Sequence, residues 1–246
     1  MLLNERVKAH SISPLCVILL LLAGAAQAGD WGDEGWSGFG ELGAVVTRGN
    51  TDAETINAKT RVRYEEELWR HTLQLEALKR AEEGATTAER YLGNFKSDWK
   101  FRPREYLFGA LRYENDRFSG YEYQASAAVG YGRRVIDTER TRLELEAGVG
   151  VRQSKVRDGE RDDDTILRGA MFFERRLSET ARFGQDLLVQ AGQDNTEVES
   201  VTSLTAAIND RLAMRLSLTA KHNTDVPEDR EKTDTITAVS LVYNFW

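Results

Sequence analysis

The sequence contains few of the residues that cross-link or interrupt protein chains. Its 246 residues include one Cys, three His and three Pro. The single cysteine is Cys16, so the rest of the chain can form neither a disulfide nor a thiolate metal site. Outside residues 15–26 there is no long apolar run, whereas each transmembrane helix needs about 20 apolar residues. These absences exclude a disulfide-stabilised domain and a membrane protein built from several helices.

Charge and composition narrow the class further. The chain is 41% hydrophobic and 30% charged, its net charge is -7 and its mean hydropathy is -0.50. The acidic balance argues against a nucleic-acid partner, and the sequence has neither a glycine-rich phosphate loop nor a metal-ligand motif. We therefore predict no cofactor, no metal and no nucleic-acid partner. The averages alone resemble those of a water-soluble protein.

The first 28 residues have the pattern of a secretory signal peptide. Arg6 and Lys8 form a basic region, residues 15–22 form an apolar core, and Ala26 and Ala28 form a small-x-small cleavage site. The alternative is an N-terminal membrane anchor, for which the apolar run is short. We expect cleavage after Ala28, export to the outer membrane, and a short periplasmic segment over residues 29–35.

From residue 36 onward, polar and apolar side chains alternate with period two, which is typical of strands with two different faces. Residues 143–151 alternate almost without error, and no segment shows a sustained helical stripe. Breaks at charged residues, Gly, Asn and Pro give about twelve strands. The predicted strands are 36–47, 53–65, 69–80, 88–101, 105–117, 121–136, 140–155, 165–177, 181–192, 197–208, 211–223 and 233–246. Most exceed the ~9 to 11 residues that a tilted strand needs to cross a bilayer, which favours a transmembrane barrel over a sandwich.

The predicted connections are of two kinds. Tight turns are predicted at 66–68, 102–104, 137–139, 178–180 and 209–210, and mostly longer polar loops at 81–87, 156–164, 193–196 and 224–232. Short periplasmic turns and longer extracellular loops are typical of outer-membrane barrels. We therefore predict an all-β antiparallel transmembrane barrel of about twelve strands over residues 36–246, with both ends of the barrel in the periplasm.

Aromatic residues lie near the predicted strand ends, as interfacial girdles require. The periplasmic girdle is predicted to contain Trp36, Tyr64, Trp69, Trp99, Phe101, Tyr106, Tyr243, Phe245 and Trp246. Part of the outer girdle is predicted from Tyr91, Tyr113, Phe118, Tyr121 and Tyr123. The alternative is a soluble β-can with these aromatics in its core, but such a barrel keeps its outside charged and needs only about eight strands.

The last strand carries a further signal. Outer-membrane barrels characteristically end in an aromatic residue after an alternating apolar strand, and we expect the barrel-insertion machinery to bind this strand. The alternation here runs through Phe245, which puts Trp246 one residue beyond the usual register.

Two segments resemble a known family. WSGFGELG at residues 36–43, followed by TRGNTD at 47–52, is similar to the opening hairpin of the salt-induced outer membrane protein family. RYENDRFSGY at 112–121, with GYG at 130–132, resembles the most recognisable stretch of that family. The similarity covers nearly the whole mature chain. The resemblance implies a Gram-negative outer-membrane β-barrel and supplies no reaction, ligand or catalytic residue.

Catalysis has weak support in the residues. His71 lies beside Trp69 and is most simply a girdle residue, whereas His222 lies at the outer end of its strand, where a barrel hydrolase would place its base. Asp225 would orient His222, but no Ser partner is identified for acyl transfer. We therefore predict that the protein is not an enzyme. The acidic residues 162–164 are predicted to lie in a long solvated loop, with divalent cations that bridge lipopolysaccharide as the alternative.

The polar face of each predicted strand gives the candidate lumen lining. Its basic members are Lys59, Arg61, Arg63, Arg90, Lys96, Lys100, Arg112, Arg152, Arg182, Arg211, Arg215 and Lys221. Its acidic members are Glu41, Glu76, Asp98, Glu114, Glu122, Glu144, Glu146 and Asp186. Twelve strands about 4.8 Å apart and tilted by about 40° give a backbone radius of roughly 12 Å. Long side chains that pair across this space would leave a narrow passage or none.

Two functions remain for such a lumen. The first is a structural or envelope-stress barrel without a wide pore, as the resemblance to a salt-induced family implies. The second is a narrow diffusion channel for small solutes, because twelve strands can enclose one and a lining of both charges would be hydrated. Either barrel would contact outer-membrane lipid and lipopolysaccharide.

The barrel prediction is tested by extraction and electrophoresis. We expect the mature protein to require detergent and to migrate as two bands, one folded in unboiled samples and one unfolded after boiling, because a closed barrel resists detergent until heated. A protein that stays soluble without detergent, or that shows a single band under both conditions, would contradict the prediction.

Overall fold

The computed structural model is a closed barrel of twelve antiparallel β-strands, which confirms the predicted fold class. The structure describes residues 34–47, 53–82, 85–116, 121–156, 161–226 and 231–245. The predicted signal peptide, residues 29–33 of the segment after it, Phe118 and Trp246 lie outside the described residues. Within that part of the chain, no helix has the length and apolar character that a membrane span requires.

Each strand pairs with the next one in sequence, and β1 pairs with β12 to close the sheet. The strands are β1 Gly35–Thr47, β2 Ala53–Glu65, β3 Trp69–Glu82, β4 Ala85–Arg102, β5 Glu105–Asp116, β6 Tyr121–Asp137, β7 Thr141–Val156, β8 Arg161–Arg176, β9 Ala181–Ala191, β10 Thr196–Ala207, β11 Leu212–Asn223 and β12 Thr233–Asn244. Closure pairs the backbone of every strand on both sides, so the sheet has no free edge.

The two faces of the sheet differ in the way that the alternation predicts. Leu42 is 56% exposed while its neighbour Glu41 is 5% exposed, and Val129 is 62% exposed while Ala128 is 6% exposed. Exposed large apolar side chains therefore cover the outside, and charged side chains are buried inside. This inverts the arrangement of a soluble protein and fits a barrel whose outside faces lipid.

The two ends of the barrel are distinguished by the chain termini. We call the end that carries both ends of the barrel chain and the turns at 66–68, 103–104, 138–140, 177–180 and 208–211 the terminal end, and the other the loop end. The strands reach further toward the loop end than predicted: β3 and β4 extend to Glu82 and Ala85, and β8 begins at Arg161. The predicted loops 81–87 and 156–164 are therefore too long. The longest connection at this end is 224–232, between β11 and β12.

Polar contacts between charged residues explain why the strands extend further toward the loop end than predicted. Gln153 of β7 donates a hydrogen bond to the Asp163 carboxylate of β8 at 2.8 Å, and Asp164 forms an ion pair with Arg152 at 3.2 Å. These polar residues continue the ladder of paired strands, so a run of charge did not mark the end of a strand. The placement of residues 162–164 in a loop was wrong.

A register shift between Tyr121 and Tyr123 reorients the start of β6. Tyr121 is 8% exposed and directs its hydroxyl toward the Asp225 carbonyl at 3.5 Å, whereas Tyr123 stacks on Tyr113 outside, with ring centroids 5.9 Å apart. Glu122 is exposed and forms an ion pair with Lys155. Because a bulge adds one residue to the alternation, Glu122 is not a lumen residue and Tyr121 is not a girdle residue, contrary to the predictions.

Rings from β5 pack against glycines inside the barrel. Tyr106 is 2% exposed and Phe108 is 3% exposed, and they lie over the inward positions Gly132 and Gly130 of β6. The assignment of Tyr106 to the aromatic girdle was wrong, because the missing side chains of the facing strand leave room for its ring inside. These rings fill one side of the lumen.

A substitution at Gly130 tests this packing. A side chain there would overlap the Ala147 carbonyl oxygen, the Gly148 backbone and the Phe108 ring. We expect Gly130→Val to lower the free energy of unfolding by about 1–3 kcal/mol, the typical cost of overpacking. Urea unfolding of the detergent-solubilised barrel, followed by tryptophan fluorescence, measures the change.

The matched control is Gly169→Val. A Cβ at Gly169 would meet no atom within 4 Å, so the unfolding transition should stay near that of the unsubstituted protein. Equal stability of the two variants would contradict the packing described for β5 and β6.

Candidate functional site in the barrel lumen

The lumen is crossed near the loop end by one group of charged side chains, which we call the cross-lumen cluster. It consists of Arg90 from β4, Arg112 and Glu114 from β5, Glu197 and Glu199 from β10 and Lys221 from β11. Strands β4 and β10 are six positions apart in a barrel of twelve, as are β5 and β11. The cluster therefore joins opposite walls of the barrel.

Short ion pairs connect five of these six residues, and Glu197 lies 3.6 Å from Arg112 and 3.9 Å from Lys221. Arg90 contacts the Glu114 and Glu199 carboxylates at 2.8 Å each. Arg112 contacts the same two carboxylates at 2.9 and 2.7 Å, and Lys221 contacts Glu114 at 2.5 Å. Each cation thus lies between carboxylates, and a path along the barrel axis meets this cluster.

The cluster is neutral and buried. Its three carboxylates lie within 4.8 Å of one another, a spacing that a metal ion would accept, but three cations are interleaved with them. Glu114 is 2% exposed and Lys221 is 5% exposed. Because buried charges are stable only when paired, each member of the cluster holds the others in place.

A polar layer covers the cluster on the side of the loop end. Arg152 donates to the Asn195 carbonyl at 2.7 Å, and Asn195 donates through its amide to Asn223 at 3.0 Å. The Asp225 amide in turn donates to the Asn195 side chain at 3.2 Å. The turn between β9 and β10 is therefore joined to the β11–β12 connection over the lumen.

A second group, which we call the wall cluster, fills the side of the lumen formed by β3 to β8. Its members are Arg70, Lys96, Asp98, Tyr106, Glu144, Glu146 and Arg168. Arg70 donates to Asp98 at 2.6 Å and to both oxygens of Glu144 at 3.0 and 2.9 Å. Arg168 contacts Glu146 at 2.7 Å, and the Tyr106 hydroxyl lies 2.9 Å from both Glu144 and Glu146. The filled wall leaves most of the open space of the described lumen along the remaining strands.

That space is a cavity of about 1170 Å³, which we call the vestibule. It reaches the terminal end, where Gly35, Glu179 and Asn209 line it, and it extends toward the loop end as far as Arg90. Its walls come mainly from β1 to β3 and β8 to β12. The vestibule thus ends at the cross-lumen cluster.

The structure places most of the predicted lumen residues inside the barrel. Inward positions are occupied by Glu41, Lys59, Arg61, Arg63, Glu76, Arg90, Lys96, Asp98, Lys100, Arg112, Glu114, Glu144, Glu146, Arg152, Arg182, Asp186, Arg215 and Lys221. Besides Glu122, Arg211 was assigned wrongly. It has the spacing of the inward residues Ala213 and Arg215, but it is an exposed turn residue before β11 begins, and its guanidinium lies 3.4 Å from the Tyr243 hydroxyl.

Several lumen residues were not predicted. Arg70, Glu197 and Glu199 are central to the two clusters, and Arg168 contacts Glu146. Arg70 was missed because it lies between Trp69 and His71, although it shares its face with Thr72 and Gln74. The alternation could have identified it.

Aromatic residues near the terminal end lie on the outside of the barrel. Trp36 and Tyr64 have ring centroids 4.8 Å apart, and Trp99 and Phe101 are 5.9 Å apart. Tyr243 and Phe245 are 6.1 Å apart, and Trp69 stacks on His71 at 5.9 Å. At the opposite end Tyr91 is 49% exposed.

The proposed hydrolase base lies outside the lumen. The Nδ1 atom of His222 is 2.8 Å from the Thr233 hydroxyl, while Asp225 contacts Asn195 through its backbone. Among the described residues no contact joins His222 to Asp225. The structure therefore does not bring together the pair on which the hydrolase alternative depended.

Comparison with known proteins agrees with the fold and with the predicted family. A family model described as "Protein of unknown function, DUF481" matches residues 40–245. The uncharacterised protein YdiY of Escherichia coli (strain K12) is 26% identical over 203 residues, which are 82% of this chain and 80% of YdiY.

Similar solved structures are outer-membrane barrels. A NanC porin structure aligns with a TM-score of 0.53 at 8% identity, over 84% of this chain and 98% of that chain. A KdgM porin aligns with a TM-score of 0.43 at 8% identity, over 85% and 98% of the two chains. At such identities the likeness to NanC shows a shared fold only. The chain belongs to the DUF481 family of proteins of unknown function, and it shares the β-barrel fold of the NanC porin.

Proposed function

We propose that the protein is a non-enzymatic outer-membrane barrel of the envelope-stress type whose lumen is occluded at the loop end. The observation that carries this proposal is the cross-lumen cluster, which joins β4 and β5 to β10 and β11 through ion pairs of 2.5–2.9 Å. In this proposal the signal peptide is cleaved after Ala28, the terminal end faces the periplasm and the loop end faces outward.

The energetics of buried ion pairs support occlusion. Removing one partner of a buried pair typically costs about 3–5 kcal/mol, because the remaining charge is left without compensation. In the cross-lumen cluster each carboxylate of Glu114 and Glu199 contacts two cations or more. A solute that moves along the axis would have to separate several such contacts at once.

The extent of the vestibule favours a cavity that is open at one end over a channel that is open at both. It is lined by charged side chains, reaches the terminal end and stops at Arg90. Water and small solutes of the periplasm would enter it and stop at the cluster. The barrel would then add a rigid wall to the outer membrane without making it permeable.

A narrow diffusion channel is the second candidate. It is favoured by the size of the vestibule, about 1170 Å³, because among the described residues the cross-lumen cluster and the polar layer at Arg152 and Asn195 are what separates this cavity from the loop end. A different arrangement of a few long side chains would connect the two sides. The shared fold with NanC porin fits a barrel of this size.

The outer surface of the barrel has the side chains that contact with membrane lipid requires. Apolar side chains such as Leu216 and Leu241 would contact lipid, and the aromatic residues at the terminal end would lie at the level of the head groups. Divalent cations bound by the exposed carboxylates of Asp162 and Asp163 near the loop end would bridge the protein to lipopolysaccharide. The last strand would be the segment that the insertion machinery binds.

Single-channel recording in planar bilayers tests the proposed function. We expect the unsubstituted protein to show no steady ohmic openings. The double variant Arg90→Ser and Arg112→Ser removes two long side chains from the cross-lumen cluster, and we expect it to conduct. Steady openings of the unsubstituted protein would contradict occlusion and favour the diffusion channel.

The control for this experiment is Arg80→Ser. Arg80 forms an exposed ion pair with Glu82 near the loop end, outside the cluster, so this variant should remain closed. Heat modifiability establishes that each variant is folded. If the double variant does not fold, Glu199→Ser tests the same contact, and a folded Glu199→Ser protein that remains closed would count against the cluster as the barrier.

A further inference from the structure

Most charges in the vestibule wall are matched by a partner. Lys59 contacts Glu76 at 2.8 Å, and Arg215 contacts Glu41 at 2.7 Å. Arg63 differs from them. It lines the vestibule, but it has no hydrogen bond and no ion pair within 4.0 Å to any residue that the structure describes.

Two hydroxyl groups flank Arg63 on the same face of the sheet. Its register partners are Ser37 of β1 and Thr72 of β3, and all three residues line the vestibule. Side chains of such cross-strand partners have Cβ atoms about 4.5–5.5 Å apart. Neither hydroxyl forms a hydrogen bond with a described residue. One guanidinium and two hydroxyls are therefore available to a solute at this position.

We propose that Arg63, Ser37 and Thr72 form a binding site for the carboxylate or phosphate group of a small solute that enters from the terminal end. A guanidinium donates two parallel hydrogen bonds to such an oxyanion, and the hydroxyls donate to its remaining lone pairs. Among the described residues, Glu144 and Glu65 act on this half-buried cation from beyond 4.0 Å, and the bound oxyanion would be a direct partner. This inference goes beyond the occluded barrel, since it concerns what the vestibule holds.

The opposite wall defines the rest of the solute. Glu174 of β8, six strands from β2 around the barrel, lines the vestibule and also has no hydrogen bond or ion pair within 4.0 Å among the described residues. Arg63, Arg142 and Arg182 lie within electrostatic range of its carboxylate. A carboxylate at that position accepts from hydroxyl or ammonium groups and repels a second oxyanion. The site thus fits a solute with one oxyanion and hydrogen-bond donors at its other end.

The vestibule is large enough for a solute of this class. Pockets for small molecules typically measure about 300–1,000 Å³, and the vestibule of about 1170 Å³ lies just above this range. Because the cavity ends at Arg90, a solute bound at Arg63 lies between the terminal end and the cross-lumen cluster.

Isothermal titration of the folded protein in detergent, with inorganic phosphate and with acetate at low ionic strength, tests the site. We expect saturable binding of both probes with one site per chain. Arg63→Gln should weaken binding about tenfold or more, since a hydrogen bond to a charged group contributes roughly 1.5–3 kcal/mol. Arg63→Lys should weaken it less, because it keeps the charge and loses the bidentate geometry.

The matched control is Arg80→Gln, which removes an arginine outside the vestibule and should bind both probes as the unsubstituted protein does. Binding that is equal in Arg63→Gln and the unsubstituted protein, or heats that do not saturate, would overturn the site. Conductance is a separate measurement: a conducting protein that loses phosphate binding in Arg63→Gln would contradict occlusion and support the site. A closed protein whose phosphate binding does not depend on Arg63 would support occlusion and contradict the site.

Discussion

Closure of the sheet is the constraint on which the rest of the structure depends. In hydrocarbon an unpaired backbone N–H or C=O is costly, so a sheet that crosses a membrane must pair its first strand with its last. Here β1 pairs with β12, from Phe39 opposite Asn244 to Gly43 opposite Ser240. Once closed, the sheet has one face toward lipid and one toward a narrow interior, and every charged side chain of the alternating pattern must be placed inside or at an end.

The interior is then too narrow for its charges to stay apart. Long side chains from β4 and β5 meet those from β10 and β11 in the cross-lumen cluster, and Arg70 of β3 meets Glu144 of β7 in the wall cluster. The small inward residues Gly130, Gly132 and Gly148 leave space for the Tyr106 and Phe108 rings, which fill the same side. The vestibule at the terminal end follows from this uneven filling, as does the occlusion that we propose at the loop end.

The sequence predicts the architecture well because the alternation is a local property. The strand over Thr141–Val156 follows directly from the alternation of residues 143–151, and Lys59, Arg61 and Arg63 share one face of β2 for the same reason. Tyr106 was assigned to the girdle because it is aromatic, although its position in the alternation indicates the lumen. It is separated from Arg112 by an even number of positions, so both residues face the lumen. The bulge at Tyr121 carries no local signal in the sequence. The contacts of Glu114 with Arg90 and Lys221 depend on which strands lie opposite after closure, which periodicity does not contain.

In the proposed function the cross-lumen cluster separates the vestibule from the loop end. Thiol labelling in cells tests it directly, because the one native cysteine, Cys16, lies in the predicted signal peptide. Ser217→Cys places a thiol in the vestibule, and Gln193→Cys places one at the exposed loop end. With a small membrane-impermeant reagent, we predict labelling of Gln193→Cys in intact cells and of Ser217→Cys only after the outer membrane is permeabilised. Equal labelling of both thiols in intact cells would contradict this separation.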